Sequence, residues 1–373
     1  MQNNTSTLKN LATVCRILLG LTFIFSGFVK TVDPWGTAIK ISEYLNAFGF
    51  ENLKYYRFGF AIWLCGAELM MGCMLLFKVR TPLISIFAVV AMVIFTSITF
   101  VSAVWLPVED CGCFGDALKL SNGETLTKNL ILLPMSIIVW LDARKGKIFP
   151  ILKHEYFLTL LFFCLAGGLG IYCYRHLPLI DFLPYKVGTS LREAVSQDYN
   201  PEAIGETVLI YRNKQTGEER EFSLEDPTWQ DSETWEWVDT RTEVSDESYQ
   251  IASLVEFSLH DPEGDATYEI LDYPGTTYMI CVNDFDDIKP RCLERLEALV
   301  DRATAAGDRV ICLTPEPLRE ITYHSFGASD EVRCYNIDAT TLVTMLRAKT
   351  GVVELQDGVI ADKRNCRDIE TED

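Results

Sequence analysis

Histidine is scarce in this 373-residue chain, and the four present (His154, His176, His260 and His324) do not stand at metal-ligand spacing, so no zinc site is expected. Basic residues are scarce in one half only. Residues 186–373 carry 18 Lys and Arg against 41 Asp and Glu, a net −23, whereas residues 1–185 carry 15 against 11, a net +4. A segment so acidic repels a phosphate backbone, which excludes nucleic acid as a partner. The twelve cysteines are too few for a disulfide scaffold and are mostly without regular spacing. Internal repeats and low-complexity linkers are missing as well. What the chain has in quantity is apolar side chains, 49% of the total, with a positive mean hydropathy.

The apolar residues collect in the first half. Leu11–Val32 is long enough, at about 1.5 Å per residue, to cross a hydrocarbon core of roughly 30 Å. It lacks a small-residue cleavage site, so it reads as a retained membrane helix. Phe58–Phe77 and Thr81–Leu106 are two further spans joined by Lys78-Val79-Arg80, with Pro82 in the first turn, where its missing N–H is harmless. Leu126–Leu141 and Tyr156–Tyr174 complete five crossings, which put the termini on opposite sides of the bilayer. Short-loop basic residues tie at seven on each side, Lys9, Lys78, Arg80, Arg144, Lys145, Lys147 and Lys153 against Lys30, Lys40, Lys54, Arg57, Lys119, Lys128 and Arg175. The two tightest loops carry the first set, which favours a cytoplasmic N-terminus. Of the opposing set, Lys40, Lys54 and Arg57 fall in a longer first loop, Asp33–Arg57. The expected location is the inner, cytoplasmic membrane, with the acidic domain extracytoplasmic.

After His176 the pattern changes. Tyr185–Tyr273 reads as β-rich and irregular, with a hairpin over Val208–Phe222 and a tryptophan-rich stretch (Trp229, Trp235, Trp237) that either covers the domain's own core or forms a partner-binding ridge. From Thr276 strands alternate with helices: strands at 278–282, 309–314, 332–337, 351–356 and 359–363, and helices at 290–306, 317–326 and 340–348. That alternation implies a small sheet with parallel crossovers.

Chemistry concentrates in a few residues. Cys111 and Cys113 flank Gly112, and two thiols separated by one glycine can close a strained, readily exchanged ring. Glu109, Asp110 and Asp116 beside them disfavour a standing thiolate, so the pair is expected to rest oxidised and accept electrons. A structural disulfide, a metal pair and two free thiols are the other readings. Glu68 lies inside the second span at a cost of about 2.5–3.5 kcal/mol, so it needs a partner, and Lys30 at the end of the first span is the available cation. Such a pair either fixes helix packing or handles the protons that dithiol oxidation releases. Cys65 shares the helical face of Glu68, as an exchange partner for the loop or as a packed core residue. In the soluble half Cys281, Cys312 and Cys334 read as core. Cys292, at a helix start where the dipole lowers a thiol pKa, reads as the one reactive candidate there, with no second cysteine within a turn.

Three segments, Phe25-Ser-Gly-Phe-Val-Lys30, Gly66-Ala-Glu68-Leu-Met-Met-Gly72 and Cys111-Gly-Cys-Phe-Gly115, together resemble the DoxX/MauE group of small membrane proteins over roughly Cys15–Leu141. The resemblance implies a four-helix membrane protein linked to quinone or sulfur redox, with the Cys-Gly-Cys loop concerned in disulfide formation. The stretch from Cys334-Tyr-Asn-Ile-Asp338 through Val352–Lys363 resembles the end of a thioredoxin-like domain. It departs from the active form of that fold. Ile288-Lys-Pro-Arg-Cys292 offers one cysteine where Cys-x-x-Cys is expected, and Thr350-Gly351 stands where a proline is expected.

The expected fold class is thus a membrane all-α helical bundle, four DoxX-like helices plus a fifth, followed by a soluble α/β thioredoxin-like domain. The expected division is a four-helix membrane domain at 1–150, the fifth helix and linker at 151–185, a β-rich acidic extracytoplasmic segment at 186–275 and a thioredoxin-like domain without Cys-x-x-Cys at 276–373. The leading functional expectation is a thiol–disulfide or quinone-linked oxidoreductase subunit in which Cys111, Cys113, Glu68 and Lys30 do the chemistry. Its partners are the lipid bilayer and an extracytoplasmic thiol protein, with a quinone as the cofactor that the resemblance suggests. Against it stand a non-enzymatic scaffold whose thioredoxin-like domain binds a client, and a transporter or metal carrier using Glu68 and the paired thiols.

Overall fold

The structure, a computed structural model, describes residues 2–105, 112–144, 146, 153–196, 207–214, 216, 219–223, 228, 234–242, 254, 257–318 and 332–370. The chain divides into two compact units, residues 1–182 and 183–373.

The first unit is helical: α1 (Gln2–Val32), α2 (Pro34–Ala47), α3 (Arg57–Leu76), α4 (Thr81–Val104), α5 (Asn122–Ala143) and α6 (Lys153–Arg175). Five of these are long and apolar enough to cross a membrane, spanning Leu8–Val32, Asn52–Leu76, Thr81–Val104, Asn122–Ala143 and Lys153–Arg175. This is a multi-pass membrane protein. Its outward faces expose Leu18, Phe87, Val90, Ile131 and Phe163, as a surface solvated by lipid does. α1 packs on α3, α4 on α5, and α6 on α3.

Hydrophobic burial does not drive helices together in lipid, so close backbone contact and polar links must. α1 and α3 use both. A Cβ on Gly27 would fall 2.4 Å from the Leu69 nitrogen, and one on Gly72 would fall 2.5 Å from the Ile24 nitrogen. Only glycine allows that approach. Arg16, within α1, donates to the Leu75 and Leu76 carbonyls at the end of α3 and so links the two helices.

Two parts of this unit differ from the sequence reading. The first loop is largely helical, because Asp33 caps α2 by accepting from the Gly36 N–H at 2.9 Å and Pro34 opens the helix with φ already set. The fourth span begins near Asn122, not at Leu126. Ser121 and Glu124 form a capping box, with Glu124 N–H donating to Ser121 Oγ at 3.2 Å and Ser121 N–H donating to Glu124 Oε2 at 2.9 Å.

The second unit contains sheets. β1 (Thr207–Asn213), β2 (Glu219–Ser223) and β3 (Trp235–Thr242) form a three-stranded antiparallel sheet in the order β2-β1-β3. Trp235 packs edge-on against buried Phe222 at 4.8 Å, which serves the unit's own core; Trp229 lies outside the described residues. The larger sheet has seven strands: β4 (His260–Asp261), β5 (Gly264–Asp265), β6 (Thr276–Val282), β7 (Arg309–Thr314), β8 (Arg333–Asn336), β9 (Thr350–Gln356) and β10 (Val359–Asn365). Its order is β10-β9-β6-β7-β8-β4-β5, with β6, β7 and β8 parallel and β9 antiparallel to β6. Short helices α7 (Leu191–Ser196) and α8 (Thr267–Leu271) precede β6, α9 (Pro290–Ala306) crosses from β6 to β7, and α10 (Ala339–Met345) precedes β9. The expected helix at 317–326 falls almost wholly outside the described residues.

α9 is amphipathic by spacing. Leu296, Leu299, Val300 and Ala303 recur at helical intervals and bury against Ile280, Val310, Cys312 and Val352. Gly307 ends it in the left-handed region at φ +82°. Gly351 is demanded by proximity, since a Cβ there would lie 2.3 Å from the Arg364 carbonyl oxygen across the β9–β10 ladder.

Cys292 does not stand alone. It forms a disulfide with Cys366, 74 residues away and 5.6 Å between Cα atoms, which ties the start of α9 to the turn after β10. The helix-start thiol singled out in the sequence is therefore spent on a structural link.

Candidate functional site: a cavity among the membrane helices

The three sequence segments that stood out separately meet in the structure. From α1, Lys30 makes an ion pair with Glu68 of α3; both side chains are almost fully buried, at 9% and 5% exposure. The spacing explains the meeting. Gly27 lies one turn before Lys30 on α1 and packs on the Leu69 backbone, so the residue that lets the helices touch also sets Lys30 opposite Glu68.

The loop between α4 and α5 closes on the same place. Ser26 of α1 donates its hydroxyl to the Cys113 carbonyl at 2.5 Å. Gly112 and Gly115 take left-handed backbone at φ +63° and +54°, and Gly115 N–H bonds to the Gly112 carbonyl at 3.2 Å, which turns the chain back on itself. A Cβ on Gly112 would meet Lys40 Cγ at 3.1 Å, and one on Gly115 would meet Val29 Cγ1 at 3.3 Å. Phe114 is buried, sits 5.3 Å from the Phe25 ring, and has the Lys128 ammonium 4.2 Å from its centroid. Cys111, Glu109 and Asp110 lie outside the described residues. The third acidic neighbour, Asp116, faces Lys119 at 3.9 Å.

Lys30, Glu68, Gly112 and Cys113 together line a cavity of about 330 Å³. Its walls are otherwise mainly apolar, from Phe23, Leu64, Met92, Phe95, Ile98 and Leu132. Further polar groups come from the hydroxyls of Thr22, Ser26, Thr37 and Tyr44 and from Lys40, Lys128 and Asn129, the last donating to Thr99 Oγ1 at 2.8 Å. A volume of roughly 300–1,000 Å³ with mainly apolar walls and convergent polar groups is the form of a small-molecule site. The Lys30 ammonium also lies 5.8 Å from the Phe95 ring centroid. Cys65 is buried, and its thiol bonds Thr37 Oγ1 at 3.5 Å, so it packs beside the pair rather than lining the cavity.

Lys30, Lys40 and Lys128 all stand at the cavity, so its described surroundings are richer in cations than neighbours in sequence suggested. Sequence position could not reveal this, because the cations come from α1, α2 and α5.

Residues 8–142 match the family model of methylamine utilisation protein MauE. The matched residues take in α1 to α5 almost entire and every residue of the cavity. Residues 205–247, which include the small three-stranded sheet, match a domain of unknown function, DUF8463. No curated protein and no solved structure matches the chain. Among the described residues no group of His, Cys, Asp and Glu could hold a metal ion.

Proposed function

We propose that the MauE region carries out thiol–disulfide exchange at Cys111 and Cys113 and passes the electrons inward to an acceptor held in the apolar cavity. The observation that carries this reading is the sharing of one cavity by Cys113 and the buried Lys30–Glu68 pair. A partner thiolate attacks one sulfur of the Cys111–Cys113 disulfide and forms a mixed disulfide. The partner's second thiol then displaces it, leaving an oxidised partner and a reduced loop with two electrons gained. Reoxidation of the loop releases two electrons and two protons, and Glu68, held by Lys30, is the group in place to take a proton. The apolar walls and the polar groups at Lys30 and Asn129 fit a quinone-class ring, which when bound supplies a two-electron, two-proton sink. Lys30 and Asn129 are the residues that would hold the oxygens of such a ring, and Phe95, Met92 and Leu64 would keep water from it.

The name MauE brings methylamine utilisation with it. For this chain we take from it a membrane setting and leave the thiols and the buried pair to carry the chemistry. The second unit we read as thioredoxin-like and extracytoplasmic. A parallel β6-α9-β7 unit flanked by the antiparallel β9–β10 hairpin supports the first, and the Cys292–Cys366 disulfide supports the second, because such bonds persist in oxidising compartments. Closure of Cys292 in that bond also favours a client-binding role for this unit.

Thiol trapping in native membranes tests the site. Cys113→Ser is expected to leave Cys111 linked to a partner as an adduct on non-reducing gels, and Cys292→Ser is expected not to remove it. A wild-type pair that stays reduced, with no Cys111-dependent adduct, sinks the redox reading. Reporter fusions after Gly146 and Gly188 test orientation, with cytoplasmic and extracytoplasmic signals expected in turn.

A further inference from the structure

The second unit holds a pair of thiols that the disulfide does not use. Cys312 on β7 and Cys334 on β8 are direct partners in the parallel register. In-register residues of parallel strands project to the same face, and both belong to the core beneath α9. The two thiols are close enough for each to perturb the ionisation of the other. Accessibility separates the two: Cys312 is fully buried, whereas Cys334 is half-buried. Among the described residues β4 meets β8 only at His260 and Asn336, so at Cys334 the outer edge of β8 has no strand paired to it.

We propose that Cys312 and Cys334 are a second redox-active dithiol, closed to a cross-strand disulfide by an incoming disulfide substrate. The Cys334 thiolate attacks one sulfur of R–S–S–R, making a mixed disulfide and releasing RS⁻. Cys312 then loses its proton and attacks the Cys334 sulfur, releasing the second RS⁻. Two electrons pass from the pair to the substrate, and the two thiol protons end on two RSH. The division of labour follows from the environments. The neighbouring Cys312 thiol holds Cys334 below the usual thiol range, while burial pushes Cys312 well above it. The more exposed sulfur is therefore the better nucleophile and the buried one resolves. Cys281 provides an internal control, since it is buried, raised by desolvation, and faces Leu313 in the ladder instead of a thiol.

The test uses the full chain in membranes, in a Cys111→Ser, Cys113→Ser background so that it does not depend on the cavity. The protein is equilibrated with oxidised glutathione, then alkylated and mapped by mass spectrometry. The expected result is joint loss of alkylation at Cys312 and Cys334, a peptide pair linked between β7 and β8, and no loss at Cys281. In Cys312→Ser, Cys334 is expected to keep glutathione as a lasting adduct that dithiothreitol removes, while the wild type passes through it. In Cys334→Ser, Cys312 is expected to remain reduced. The proposal is overturned if the wild type shows no 312–334 link, if the Cys334 adduct is equally lasting in wild type and Cys312→Ser, or if Cys312 oxidises without Cys334.

Discussion

In the membrane unit α1 and α3 touch through their backbones, at Gly27 against Leu69 and Gly72 against Ile24. In the second unit α9 meets its sheet through side chains, Leu296, Leu299 and Val300 against Ile280 and Val310. The solvent accounts for the difference. Lipid tails are as apolar as leucine, so burying leucine between spans gains little, and close packing plus the Lys30–Glu68 link must hold the helices. Water makes burial under α9 favourable at about 25 cal/mol per Å² of apolar area, and the Cys292–Cys366 bond adds a covalent tie.

Removing one member of the buried pair should break this comparison most forcefully. Glu68→Ala leaves an uncompensated buried ammonium and is expected to cost about 3–5 kcal/mol. Unfolding in detergent should show most of that loss recovered when Lys30→Met is combined with Glu68→Met, while the redox cycling of Cys111 and Cys113 stays impaired. Recovery of cycling along with stability would reduce the pair to a packing device.

Cutting the tie in the other unit should act there alone. Cys366→Ser is expected to cost about 2–5 kcal/mol and to lower the second unit's melting transition, leaving that of the membrane unit in place. A scan of the full chain with probes in each unit reads both.

Gly27→Ala sharpens the contrast at smaller scale. The new methyl would strike the Leu69 backbone, which cannot rotate away, and overpacking of that kind costs about 1–3 kcal/mol against roughly 1 kcal/mol gained in helix propensity. Gly167→Ala on α6, where nothing lies within 4 Å, should show only the gain. Equal responses from the two variants would mean that backbone contact does not hold α1 to α3.

The smallest effect concerns a surface carboxylate. Asp265 accepts from the Thr267 hydroxyl and, at 2.8 Å, from its N–H, which hold its carboxyl below the usual range. A carboxyl depressed by folding stabilises the fold above its unfolded value near 3.9 and loses that contribution as pH falls through the folded value. The stability gap between wild type and Asp265→Asn should therefore be present at neutral pH and close in acid, as denaturant titrations at several pH values would show.

Much of the scaffold was readable in one dimension. Long apolar runs located the five spans to within a few residues, and the apolar spacing of 290–306 gave α9. Ser121 and Glu124 were a legible helix start that the apolar run alone understated. The first loop was misjudged because α2 is fixed by Pro34, the Asp33 cap and burial of Trp35 and Ala38, none of which makes a long apolar run. The Lys30–Glu68 pair was foreseeable from cost, since a charge inside a span must find a partner.

What the amino-acid sequence determined by itself was composition along a line: where the chain is apolar enough to enter lipid, where it alternates for strands, and which residues cost energy unless paired. Only the tertiary structure decided that Ser26, Lys30, Glu68, Gly112 and Cys113 line one cavity, that Lys40 and Lys128 join them, that Cys292 is bound to Cys366, and that Cys312 faces Cys334. The reason is physical. Hydropathy and helix periodicity are local and survive in one dimension, whereas helix approach, loop closure and strand register join positions tens of residues apart through contacts that no local pattern encodes.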